Sequence, residues 1–216
     1  MKVIGNLFGV VVFFLLLTGS SGAQEIVRKV VGKRLISSQF PDLKVDIKGN
    51  FKFVGKFDFT IRDVARGERY IFVDARKNKI DRLFIAQFEA ILPESPEIYR
   101  YNFDQAQKFG QHKFRHNTFA YSNLAAAKEN PAGEAALTQK FLDEKGYLLE
   151  DELMMSRFVN VPDEAKKHEL ILFYIENVSP TKHRLAEFYQ SDGETEIWRQ
   201  ISRDLTARSL KAFTIE

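Results

Sequence analysis

The sequence predicts an α+β fold: a curved antiparallel β-sheet of about six to seven strands, a meander plus a hairpin, covered by an N-terminal helix, a middle helix and a long C-terminal helix. Three observations carry that prediction. Apolar and polar residues alternate from residue 43 to 61, two later segments are apolar on both faces, and helical periods with end signals occupy the middle and the end of the chain.

The first segment is read apart from the fold. Lys2 precedes an apolar run over 3–17, and Ser21-Gly22-Ala23 supplies small residues at the positions a signal peptidase reads. The run is short for a spanning helix of about 20 residues and is interrupted by Gly5, Asn6 and Gly9. Residues 1–23 are therefore expected to be a cleavable signal peptide, cut between Ala23 and Gln24, which makes the protein secreted or periplasmic and leaves no integral membrane segment. Without a repeat or a Pro/Gly/Ser linker, 24–216 reads as a single α+β domain.

Residues 25–38 predict an amphipathic helix, with Ile26, Val27, Val30, Val31 and Leu35 on one broad face, ending before Pro41. Leu43, Val45 and Ile47 then alternate with Lys44, Asp46 and Lys48. Gly49-Asn50 has the composition of a tight hairpin loop, and Phe51, Phe53, Phe57, Phe59 and Ile61 continue the alternation. Gly55 falls on the apolar side, where a missing side chain points to a bend or to something packed close above it. Segments 69–75 and 80–92 are apolar on both faces and read as central strands. After Pro93 and Pro96, a strand is expected over 112–121.

Asn130-Pro131 followed by Leu137, Phe141 and Leu142 and then Gly146 predicts a helix with a cap, a first-turn proline and a glycine past its end. Segments 153–161 and 168–178 predict a hairpin. Ser191 and Glu194 have the spacing of a capping box ahead of a terminal helix bearing Ile197, Trp198, Ile201 and Leu205.

Composition narrows the chemistry. With 216 residues, 44% hydrophobic and 28% charged, the chain has the apolar content of a globular protein. The absence of cysteine removes disulfides, thiol catalysis and thiolate metal sites. A net charge of +3 lacks the basic excess of a nucleic-acid binder, so nucleic acid is not expected as a partner. His112 and His116 on a strand stand about 13 Å apart, too far to share one metal. No Gly-x-Ser-x-Gly motif and no Gly-rich phosphate loop occurs, so no cofactor is expected.

What remains is polar chemistry placed on strands that otherwise read as buried. Gln87 and Glu89 share a face with Leu83, Ile85 and Ile91, and a carboxylate there needs pairing, protonation or a wet cavity. Tyr174 and Glu176 form a similar pair on the later strand, with Arg157 on its hairpin neighbour as the expected partner. Twenty phenylalanines supply core aromatics, and rings on a bent sheet also suit the wall of an apolar pocket. The reading the sequence favours is an exported protein that binds a small apolar or aromatic ligand between the sheet and the C-terminal helix, with Gln87, Glu89, Tyr174, Glu176 and Arg157 orienting it. Two alternatives stand beside it: an enzyme using Glu89 or Glu176 as general acid/base, and an envelope interaction module without a pocket.

Overall fold

The protein is described by a computed structural model over residues 28–191 and 193–216. The expected signal peptide and its cut site lie outside the described residues.

Where a helix was expected at the N-terminus, the chain forms a β-hairpin, β1 (Arg28–Val31) and β2 (Arg34–Ser38), with Val31 opposite Arg34. Gly32, at φ +62°, opens the two-residue turn, and the β-branched Val30, Val31 and Ile36 sit more easily on a pleated surface than in a helix. β2 continues into β3 (Asp42–Ile47), and the C-terminal β13 (Phe213–Ile215) pairs with β3 to complete a four-stranded antiparallel sheet. Arg34 clamps Asp46 across β2 and β3 through two hydrogen bonds of 2.6 and 2.8 Å.

The second sheet has seven strands. β4 (Lys52–Ile61), β5 (Ala65–Arg76) and β6 (Lys79–Ile91) form the meander. β7 (Gln107–Phe109), β8 (His112–Ser122), β9 (Glu152–Asn160) and β10 (His168–Asn177) complete the order β4-β5-β6-β10-β9-β8-β7. The sheet is open, and its neighbouring strands run antiparallel. Gly49-Asn50 was expected to close a hairpin between β3 and β4; instead these strands belong to different sheets and Gly49, at φ +82°, carries the chain from one to the other. The local composition of a tight turn does not distinguish a hairpin from a crossing.

One face of the large sheet packs on the small one. Leu35, Leu43, Val45, Ile47 and Phe213 meet Phe72, Phe84, Phe88 and Phe158, all at most 2% exposed. Phe84 has the rings of Phe51, Phe72 and Phe213 around it at 6.3, 6.2 and 5.5 Å. The terminal helix α3 (Glu196–Ser209) adds Trp198 and Leu205 to this core. Its cap is Thr195, whose Oγ1 accepts from the Trp198 amide; the expected box at Ser191 and Glu194 does not form, because Tyr189–Gln190 and Gly193–Glu194 pair as a short ribbon, β11 and β12. At its far end Ser209 Oγ meets Ser156 Oγ at 2.8 Å, and Ser156 meets His116 Nε2 at 2.8 Å, tying α3 to β9 and β8.

The other face carries α1 (Asn123–Glu129) and α2 (Glu134–Glu144). Asn130, expected to start the middle helix, instead ends α1, and α2 begins after Gly133. Leu142 and Phe141 of α2 cover Ile71, Val73, Leu83 and Ile85. Gly55 accounts for its own position: at φ +134° and beside a register shift, it lies where an added Cβ would stand 3.0 Å from the Phe141 ring. The missing side chain lets α2 approach β4. Among the described residues, no helix is long and apolar enough to cross a membrane.

Candidate functional site

In an antiparallel ladder, directly opposed residues project to the same side of the sheet, so register alone sorts the polar side chains. Arg69 opposes Gln87, Gln87 opposes Ile171, and Glu89 opposes Glu169. Phe173 opposes Ile85 on one side and Arg157 on the other. These residues share the face beneath α1 and α2. Tyr174 opposes Phe84 and therefore faces the small sheet.

Of the five residues expected to orient a ligand, Gln87, Glu89 and Arg157 thus lie together and Tyr174 and Glu176 lie on the opposite side. The expected pairing of Arg157 with Glu176 does not occur, because side-chain alternation along β10 puts Glu169, not Glu176, on the arginine's face. Glu176 accepts from the Tyr174 hydroxyl and from Arg208 of α3 at 2.8 and 2.9 Å, a clamp between sheet and helix. Beneath the C-terminal helix Trp198 and Leu205 are fully buried, and a cavity of about 200 Å³ lined by Tyr174 and Arg208 among others lies at its far end.

A larger cavity of about 440 Å³ opens on the α1–α2 side. Leu83, Ile85, Phe119, Met155, Ile171 and Phe173 form its apolar floor, and Ala126 of α1 with Ala135 of α2 forms part of its rim. Small residues at those two helix positions keep the mouth from filling. The helices are held over the floor by Asn123 Nδ2 donating to Gln139 Oε1 at 2.8 Å and by Ser122 and Asp151, which cap the first amides of α1. A wider groove of about 710 Å³, lined by Phe40, Pro41, Phe103, His112 and Pro162 among others, lies elsewhere; its wall includes no buried charged side chain.

Three charged side chains line the 440 Å³ cavity: Arg69, Arg157 and Glu134. Arg69 is 5% exposed and committed. Its Nε donates to Gln87 Oε1, Nη1 donates to Thr138 Oγ1 and to the Glu134 carbonyl at 3.1 Å, and Nη2 lies 3.6 Å from the Glu134 carboxylate. Burial lowers its pKa, yet a guanidinium remains charged at any ordinary pH. Arg157 is less engaged: Nη2 reaches the Tyr101 hydroxyl at 3.4 Å, and Nε is buried with no hydrogen-bond partner among the described residues.

Behind this wall sits a pair of carboxyl groups. Glu89 and Glu169 face each other across β6 and β10, 8% and 1% exposed. Glu89 accepts from Gln87 Nε2 and, at 2.8 Å, from the Tyr99 hydroxyl, while Glu169 Oε1 has no hydrogen-bond partner among the described residues and lies 3.8 Å from Arg157 Nη2. Burial raises both acids above the ordinary carboxylate range. It pushes Glu169 up to about 8, reinforced by the charge of Glu89. Two opposed carboxylates in one dry site do not both ionise.

Tyr99 and Tyr101 come from the irregular segment 92–106, which sequence reading treated only as a link. Lys167 Nζ holds it down by donating to the Ser95 and Glu97 carbonyls, both at 2.7 Å, and the Tyr99 amide donates to the Lys166 carbonyl. Arg69, Glu169 and both tyrosines were missed as site residues. The available signal was the face parity of Glu169 with Ile171 and Phe173. Among the described residues no group of histidine and carboxylate side chains is placed to hold a metal ion. Comparisons with protein-family models, curated proteins and solved structures give no match to this chain.

Proposed function

We propose that this chain is an exported protein that binds a small, largely apolar molecule, with the ligand lying between the seven-stranded sheet and α1–α2 and no covalent chemistry performed on it. Export rests on the leader pattern of residues 1–23. The single observation that supports binding is the cavity: about 440 Å³, apolar on its floor, with a few convergent polar groups at the wall. That combination of size, lining and sparse polarity is characteristic of small-molecule sites. Gln87 and Glu89 enter this reading as second-layer groups: they fix Arg69 and close the sheet behind the cavity.

Native mass spectrometry of purified protein before and after organic extraction, together with titration by the neutral fluorophore N-phenyl-1-naphthylamine, tests the proposal. The expected result is a removable adduct or saturable fluorophore binding that Ala135→Trp abolishes by filling the mouth, with the thermal midpoint retained. A bare mass together with no fluorophore binding would overturn it.

A second reading, general acid–base catalysis, has one observation in its favour: two buried acids, Glu169 and the hydrogen-bonded Glu89, oppose each other, and burial raises both. Neither carboxyl lines the cavity, and Tyr99 takes one oxygen of Glu89, so binding remains the better-supported function.

A further inference from the structure

Resting on the binding reading above, we infer that the ligand is an anionic amphiphile, an apolar body ending in one carboxylate, and that the Arg157 guanidinium receives that carboxylate. The argument begins with the charges in the cavity wall. They are two guanidiniums and one carboxylate, and that carboxylate, Glu134, stands on Arg69. Arg69 is further occupied by Gln87, Thr138 and a backbone carbonyl. Arg157 is the less engaged of the two cations.

Its surroundings engage it less fully than those of Arg69. The nearest acid, Glu169, forms an ion pair with Nη2 at 3.8 Å, beyond hydrogen-bond distance, and burial raises that acid's pKa. Tyr101 supplies a neutral oxygen at 3.4 Å, at the long limit of a hydrogen bond. The arginine's Nε is enclosed without a partner, and the side chain keeps about 24% of its surface open, so Nη1, which makes no hydrogen bond among the described residues, is the donor a ligand can meet. A carboxylate is the group whose two oxygens match the paired N–H donors of a guanidinium. The apolar floor beside it, with Phe119, Met155, Ile171 and Phe173, takes the remainder of the molecule. A cationic ligand finds no free carboxylate on this wall, because Glu134 is held by Arg69 and the other two acids lie behind it.

The test compares three molecules of equal chain length, decanoate, decanol and decyltrimethylammonium, in displacing N-phenyl-1-naphthylamine from the purified protein at neutral pH. Decanoate should act at a concentration about tenfold to hundredfold below that of decanol, the range expected of a charged hydrogen bond, with the ammonium weakest. Arg157→Gln should bring decanoate to the level of decanol, weakening decanoate far more than decanol. If circular dichroism shows that the glutamine variant is unfolded, Arg157→Lys, which keeps the charge and loses the paired donors, should lose several-fold for decanoate alone. Equal potency of decanoate and decanol in the wild type, or a preference that survives loss of the guanidinium, would overturn the head-group assignment while leaving the binding reading intact. Absence of fluorophore binding would overturn the binding reading, and this assignment with it.

Discussion

The two faces of the seven-stranded sheet are built from the same strands and filled in opposite ways. Toward the small sheet, large apolar side chains meet others from above, and the space closes around rings such as Phe84 and Phe158. Toward α1 and α2 the strands carry aliphatic and aromatic residues together with two arginines and two acids, and a hollow remains. Two sheets can mesh row by row along their length, whereas two short helices cover only part of a sheet this wide. Arginines and acids line the side where covering is incomplete, and there hydrogen bonds and ion pairs take the place of packing.

The largest effect expected from this contrast is on stability. Phe84→Ala should lower unfolding free energy by about 3–5 kcal/mol, as loss of a fully enclosed ring does, whereas Phe173→Ala, beside the hollow, should lose markedly less. Denaturant unfolding followed by far-ultraviolet circular dichroism measures both. Equal losses would mean that the two faces are packed alike.

A smaller effect, on the order of a few kcal/mol, should come from Glu169 through pH. Its carboxyl is raised from 4.5 in the unfolded chain to about 8 in the fold, so across that interval the folded state holds a proton that the unfolded state has released. Stability from this group is full below pH 4.5 and declines as pH rises to about 8. Glu169→Gln, neutral throughout, should flatten that decline and make the variant the more stable protein above pH 8. The groups facing Glu169 are Glu89, Tyr101, Arg157 and, farther off, Glu134; Glu89, also raised by burial, sharpens the same trend. A decline identical in both proteins would remove the assignment of this pH dependence to Glu169.

The smallest expected effect is local to the helix side. Gly55→Ala should cost about 1–2 kcal/mol, combining an unfavourable φ of +134° with a contact of 3.0 Å to Phe141, and Phe141→Leu should recover the steric part only. A double-mutant cycle measures the coupling.

The strands of the large sheet could be read from residue pattern because their periodicity is local. The meander, the 152–160 and 168–177 hairpin, the two longer helices and the close approach at Gly55 all rest on spacings within one segment. Partnership between segments could not be read that way. Val30, Val31 and Leu35 satisfy a helical face and a strand pair equally well, and only the neighbouring β3 decides for the hairpin. Gly49-Asn50 reads alike whether it closes a hairpin or links two sheets. For the site, Gln87 and Glu89 were conspicuous because charge interrupted an apolar run. Glu169 stood at the beginning of such a run and drew no notice, and its opposition to Glu89 exists only once β6 and β10 are in register. The choice of Tyr174 and Glu176 failed to join the site for the same reason: parity along one strand was right, but which face met which layer is a property of the whole fold.

Trp198 is the chain's single tryptophan, and it is sealed into the face opposite the hollow, its indole nitrogen without a hydrogen-bond partner among the described residues. Its emission is consequently a built-in optical gauge of one layer alone. A guest entering beneath α1 and α2 should leave that signal nearly silent, while a loosening of the aromatic sandwich should shift it to the red, so one cuvette separates occupancy from melting.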